Sequence, residues 1–200
     1  MSTDGLPWED IATFSTAALG AIATAGAWLA ARRSAATAET LTRIERDRRH
    51  EERRPQLELS MENRFQDHST LNVHLVGPDE LGVVEFVSIR VDDDDKDRSN
   101  LTPGGATAED ISHHVWGPFR FTPRVDTADE HGRALGSFAL RVGRGRPFQM
   151  ERTRPGLWME GKTIETWQDE YRGHPIRLVV TCRVGDEEWV LARRLPNEPY

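Results

Sequence analysis

The chain has 200 residues, of which 30% are charged, and a formal net charge of −7. That acidity excludes a general nucleic-acid binder, because neutralising phosphates takes a basic face. Its one cysteine, Cys182, excludes an intramolecular disulfide framework and fits a reducing compartment. Cys182 alternates with apolar neighbours, which predicts a buried, inert thiol.

Residues 1–10 read MSTDGLPWED, with Asp4, Glu9 and Asp10 and no base. Residues 11–31, IATFSTAALGAIATAGAWLAA, then run 21 positions without a charge. As a helix that stretch spans roughly 31 Å, close to the hydrocarbon thickness of a bilayer. Its five strong apolar residues supply only roughly −2 to −3 kcal/mol of insertion preference, so the expected transmembrane helix is marginal. A cleaved secretory signal needs a basic leader, which is missing here. A soluble bundle helix normally keeps a polar stripe, and this stretch has none. Small residues recur at helical spacing, and Ala17, Gly20, Ala21, Thr24 and Ala25 are the candidates for helix self-association.

Residues 32–54 hold eight arginines against five acids, so the positive-inside rule puts the C-terminal side in the cytoplasm and residues 1–10 outside. This segment lacks Pro and Gly and pairs Glu39 with Arg43 and Glu45 with Arg49, which predicts a charged juxtamembrane helix ending before Pro55. Ala38 and Leu41 begin a coiled-coil seam, but Glu45 and Arg48 break it, leaving a spacer. Its arginines also suit contact with anionic lipid.

From Pro55 to Tyr200 the pattern turns to alternation. Leu57, Leu59 and Met61 form one apolar row and Leu71, Val73 and Leu75 another, followed by the β-rich run Val83 to Val91. Further strands are expected at Phe119 to Thr122, Gly136 to Val142 and Pro147 to Arg152. Ile176 to Val184 and Trp189 to Leu195 should form a hairpin turning at Gly185-Asp186. Short helices are expected at Ala108 to Val115, started by Thr107 and Asp110, and around Ile164, Trp167 and Tyr171. The expected fold is mainly β, an antiparallel β-sandwich over residues 55–200 with one or two short helices. An immunoglobulin-like outline is one option, but the Cys…Trp…Cys hallmark is missing and the topology stays open.

Residues 92–97 read DDDDKD. Asp93, Asp95 and Asp97 alternate as in a calcium loop, but Arg98 and Gly104 stand where an EF-hand needs Gly and Glu. A solvated hairpin tip is therefore expected, and the sequence is also an enteropeptidase recognition site that cleaves after Lys96. Arg141, Arg144, Arg146, Arg152 and Arg154 form an arginine-rich segment, a candidate contact for anionic lipid or a phosphorylated ligand. Its core, GRGRP, resembles an AT-hook, but one short copy in an acidic chain argues against DNA. The seven histidines show no zinc spacing, and neither CxxC nor HExxH occurs. No GxSxG elbow, Walker loop or complete GxGxxG is present, so neither a cofactor nor a catalytic role is expected. Most tryptophans suit a core, while Trp158 with Met159, beside Pro155-Gly156, suits an exposed binding ridge.

The segments AEDISHHVWGPFRFTPRVD, RPFQMERTRP and RLVVTC resemble a group of small uncharacterised actinobacterial proteins with one N-terminal membrane helix. The resemblance implies the anchored architecture and no activity, cofactor or functional residue. The leading expectation is a single-pass cell-membrane protein whose cytoplasmic β-sandwich binds another protein or itself. The alternatives are a membrane-surface sensor using the arginine segment and an enzyme with an unrecognised site.

Overall fold

Alternation of apolar and polar residues puts one face of each strand inward, and the computed structural model describes residues 38–65, 67–98 and 106–197. The chain divides into two compact units, one through Glu52 and the other from Arg53. In the first unit, helix α1 (residues 38–52) is exposed on nearly all sides and carries the ion pairs Arg48–Glu52 at 2.7 Å and Arg49–Glu45 at 3.3 Å. Leu41 and Ile44 are exposed on it. Among the described residues no helix is long and apolar enough to cross a membrane. The expected transmembrane stretch, with Ala17, Gly20, Ala21, Thr24 and Ala25, lies outside the described residues.

The second unit is mainly β. Its strands are β1 (Gln56–Phe65), β2 (His68–Gly77), β3 (Val83–Val91), β4 (Phe119–Phe121), β5 (Phe138–Arg141), β6 (Arg144–Arg152), β7 (Ile176–Val184) and β8 (Glu187–Leu195). Two short helices interrupt them, α2 (Ala108–His113) and α3 (Ile164–Glu170). The strands form two four-stranded sheets, ordered β1-β2-β6-β4 and β5-β3-β7-β8, with every pairing antiparallel. This is a sandwich-like architecture. Leu71, Val73 and Phe148 of the first sheet share one core with Ile89, Val180 and Leu191 of the second. The Phe138 and Phe148 rings, 4.8 Å apart, join the two layers. Burying such side chains is worth roughly 1.5–3 kcal/mol each, so this shared core dominates stability.

β7 and β8 meet at the two-residue turn Gly185-Asp186, where Gly185 takes φ 56°. Glycine adopts that value at no steric cost. Helix α2 opens with a complete capping box: Asp110 N donates to the Thr107 hydroxyl at 3.1 Å, and Thr107 N donates to the Asp110 carboxylate at 2.9 Å. Helix α3 is capped by Thr163, whose hydroxyl accepts from Thr166 N at 3.2 Å. One turn of α3 separates Trp167 and Tyr171, which with Trp116 make a second, smaller core at one end of the sheets.

Candidate functional site

The acidic run leaves β3 at Val91 and is pinned at once. Asp92 N donates to the Arg177 carbonyl at 2.9 Å, and Asp94 N donates to the Trp116 carbonyl at 2.8 Å. The side chains then take different partners. Asp93 accepts from Trp116 N at 3.0 Å and pairs with Arg133 at 3.1 Å. Asp94 accepts from Arg98 at 2.7 Å and from the Tyr171 hydroxyl at 3.1 Å. Asp95 is held by both terminal nitrogens of Arg177. Lys96 pairs with Glu170 at 2.8 Å, and Glu170 also meets Lys162. The expected solvated hairpin tip is therefore corrected for Asp92 to Asp94, which are half-buried, while Asp95, Lys96 and Asp97 are exposed; the whole run is a strap laced to four other segments. The calcium-loop reading loses two of its ligands to arginines.

Each cation is delivered by a local device. Arg133 sits in a tight loop closed by Asp129, whose carboxylate accepts the backbone N–H groups of His131 at 3.0 Å and of Arg133 and Ala134 at 2.8 Å each. Arg177 is the second residue of β7 and alternates with core residues Ile176 and Leu178, so it points to the outer face. Arg98 lies four residues after Asp94 and stacks over the Trp116 ring at 3.9 Å, a cation–π contact.

Where the strap crosses the start of β7 it encloses a pocket of about 280 Å³. Buried apolar groups of Val91, Trp116, Pro118 and Ile176 line it, with Tyr171 and Gly117. Asp92, Asp95, Lys96, His174 and Arg177 supply its more exposed lining. Burial pushes the Asp94 carboxyl up, but Arg98, by hydrogen bond and charge, and Tyr171 more than reverse this and hold it below the usual carboxylate range. Burial and the neighbouring Asp94 push the Tyr171 hydroxyl well up, so it stays protonated and donates. Hydrogen bonds from Lys162 and Lys96 hold Glu170 low. The carboxylates are thus fixed as acceptors. That suits binding and orientation more than proton transfer.

Behind the pocket, His114 packs edge-on against Trp116, Trp158 and Trp167, with ring centroids 4.7, 5.8 and 5.2 Å away. Burial, then the Arg120 charge, push its imidazole down to about 4, with Asp93 opposing and Arg133 and Arg98 adding. Its Nε2 is buried without a hydrogen-bond partner. His113 stacks on His131 at 4.2 Å. Among the described residues no group of His, Cys, Asp or Glu is placed to hold a metal ion. Cys182 is fully buried, and burial pushes its thiol up to about 11.

The arginine segment does not converge. Arg141 is exposed on the opposite face of β5 from core residues Phe138 and Leu140. Arg144, Arg146 and Arg152 share the inward row of β6, and from Arg144 to Arg152 that row runs roughly 26 Å. The Arg146 guanidinium lies 5.2 Å from each of the Phe138 and Phe148 rings, and Arg152 lies 5.1 Å from Phe119. Both close an end of the core. Arg154 is exposed in the following loop. GRGRP is the turn at Gly143 and the start of β6, laddered onto β2, so it is not a free AT-hook arm. Trp158 and Met159 pack against the second core, and Leu157 between Gly156 and Trp158 is the wholly exposed residue.

Sequence reasoning missed Arg98, Arg133, Arg177 and Tyr171. The signal that was present is charge balance: four adjacent acids require cations beside them, and Asp93, Asp94 and Asp95 find them in Arg133, Arg98 and Arg177. No protein-family model matches this chain, and no curated protein matches it.

Proposed function

We propose that this chain is a single-pass membrane-anchored binding protein whose β-sandwich is a cytoplasmic interaction module, with the strap pocket as docking point for an apolar side chain of another protein. The observation that carries the module reading is the pocket lining: apolar walls inside a rim whose opposite charges are already paired. Such a rim orients a ligand without the cost of an unpaired buried charge. The anchor rests on the uncharged stretch 11–31 and the arginines after it. The resemblance to small membrane-anchored actinobacterial proteins supports the same architecture. An immunoglobulin-like outline also belongs to this reading. β1-β2-β6-β4 and β3-β7-β8 correspond in order to strands A-B-E-D and C-F-G of that sandwich, while β5 departs from it.

Two experiments test the proposal. Full chain, residues 32–200 and full chain with Ile22→Asp are fractionated, and the membranes washed with carbonate. Only the unaltered full chain should remain in the pellet; release of all three removes the anchor. For the pocket, a Cβ at Gly117 meets nothing within 4 Å, so Gly117→Leu is the substitution chosen to fill the cavity. Partners captured from solubilised membranes should be lost with this variant while its melting temperature stays put. An unchanged partner set removes the pocket from the reading.

A second reading is favoured by one observation: Leu157 is wholly exposed three residues from the exposed Arg154. A basic residue beside an apolar tip suits a surface sensor for anionic lipid or a phosphorylated ligand. That reading requires salt-sensitive binding to phosphatidylserine vesicles, lost with Arg154→Glu.

A further inference from the structure

We propose that β8 is a self-pairing edge: two copies of the chain join antiparallel, β8 against β8, with Leu191 on the two-fold axis, so that the second sheet of one copy continues into that of the other. This pairing uses neither the pocket nor the N-terminal stretch.

The sheet order leaves four edges, β1, β4, β5 and β8. An edge strand is a ready template for another chain, and its length and side chains decide whether it is used. β4 has three residues and β5 four, too short to hold a register. β1 is long, but the described part of its outward row, Glu58, Ser60 and Glu62, carries two acids. Paired with itself, it sets carboxylate near carboxylate, which is destabilising.

β8 differs in this respect. Its outward row is Glu188, Val190, Ala192 and Arg194, all exposed, with an acid at one end, which also pairs with Arg183 of its own hairpin at 2.8 Å, a base at the other and apolar residues between. A two-fold axis at Leu191 sets Glu188 opposite Arg194 of the second copy and Val190 opposite its Ala192, each pair occurring twice. The inward row then faces Trp189 to the second copy's Arg193 and Leu191 to itself. Every pair of the outward row is complementary, as expected of an isologous contact. Val190 is 61% exposed, a large β-branched side chain at mid-strand. At the same edge the Ala192 carbonyl accepts from the Arg193 guanidinium of its own chain at 3.1 Å. A strand carbonyl met by a flexible side chain is an acceptor that a second strand can take over.

The test uses the full chain in mild detergent, followed by sedimentation from about 1 to 100 µM. The unaltered chain should dimerise, and Arg194→Glu, which sets acid against acid, should raise the dimer Kd roughly tenfold or more. The swap Glu188→Arg with Arg194→Glu, made with Arg183→Glu so that position 188 keeps an opposite charge beside it in its own hairpin, should recover most of that loss. Register is read separately by disulfide trapping. Val190→Cys mixed with Ala192→Cys should give a covalent dimer, and neither variant alone should, because the like positions are offset along the strands beyond disulfide reach. Positions 190, 192 and 194 are exposed, so these variants keep the fold. A chain that stays monomeric throughout overturns the proposal. So does a dimer indifferent to Arg194→Glu, which would place association elsewhere in the chain.

Discussion

The indole N–H of Trp167 donates to the hydroxyl of Thr153 at 2.9 Å, and both side chains are buried. That hydroxyl donates in turn to the Gly117 carbonyl, which ties helix α3 to the end of β6 and to the pocket wall. Thr153→Val keeps the shape but strands a buried donor and a buried acceptor. It should cost about 2–4 kcal/mol, measured by urea unfolding, with Thr153→Ser losing less than half as much.

His114 gives a pH-dependent stability with a definite sign. Its folded-state value of about 4 lies below the ordinary 6.5, so between those values the unfolded chain binds more protons than the folded one. The stability it confers is therefore complete above about pH 6.5 and is lost as pH falls toward 4. The loss should reach roughly 2–3 kcal/mol at pH 4. In His114→Phe, which keeps a ring among the three tryptophans, the unfolding midpoint should change less across that window.

Asp94 ties the strap down through two partners, so its removal should be felt in two measurements. Asp94→Asn leaves Arg98 and the Tyr171 hydroxyl without their charged acceptor and should cost about 2–3 kcal/mol. The same change should speed enteropeptidase cleavage after Lys96, which the native chain should resist while the strap stays closed. Equal cleavage rates in the two proteins would show that the strap opens without regard to Asp94.

Two glycines with similar backbones should respond differently to alanine. Gly132 has φ 71°, and a Cβ there would come within 2.1 Å of the Phe121 carbonyl oxygen. Gly161 has φ 75° and open space around it. Gly161→Ala should cost about 1 kcal/mol from backbone strain alone. Gly132→Ala adds a backbone collision and should exceed about 3 kcal/mol in the same assay.

Strands were legible wherever one face is buried and the other wet. β3 and β7 begin and end where the alternation of Val83 to Val91 and Ile176 to Val184 predicts, and the Gly185-Asp186 turn joins β7 to β8 as expected. β1 and β2 extend past their apolar rows because the ladder continues through polar pairs such as Glu62 with Thr70. Less legible was anything that depends on which sheet a strand joins. Arg146 and Arg152 read as a surface cluster because they are charged, yet strand parity puts them on the inward row of Phe148 and Met150. The pocket had no linear signature. Its lining comes from residues 91–96, 116–118 and 171–177, and only the fold brings them together. The acidic run misled for a related reason. Four adjacent carboxylates look self-repelling until Arg98 folds back from the end of the same strap and Arg133 and Arg177 arrive from other segments.

The second core has a spectroscopic consequence. Of the chain's six tryptophans, Trp116, Trp158 and Trp167 crowd around His114, and Trp116 also forms pocket wall. Among the described tryptophans the intrinsic emission is therefore weighted toward one end of the sandwich. Filling the pocket, opening the strap or protonating the imidazole would each change the light from that end without an attached dye, while Trp189 in the main core serves as an internal reference.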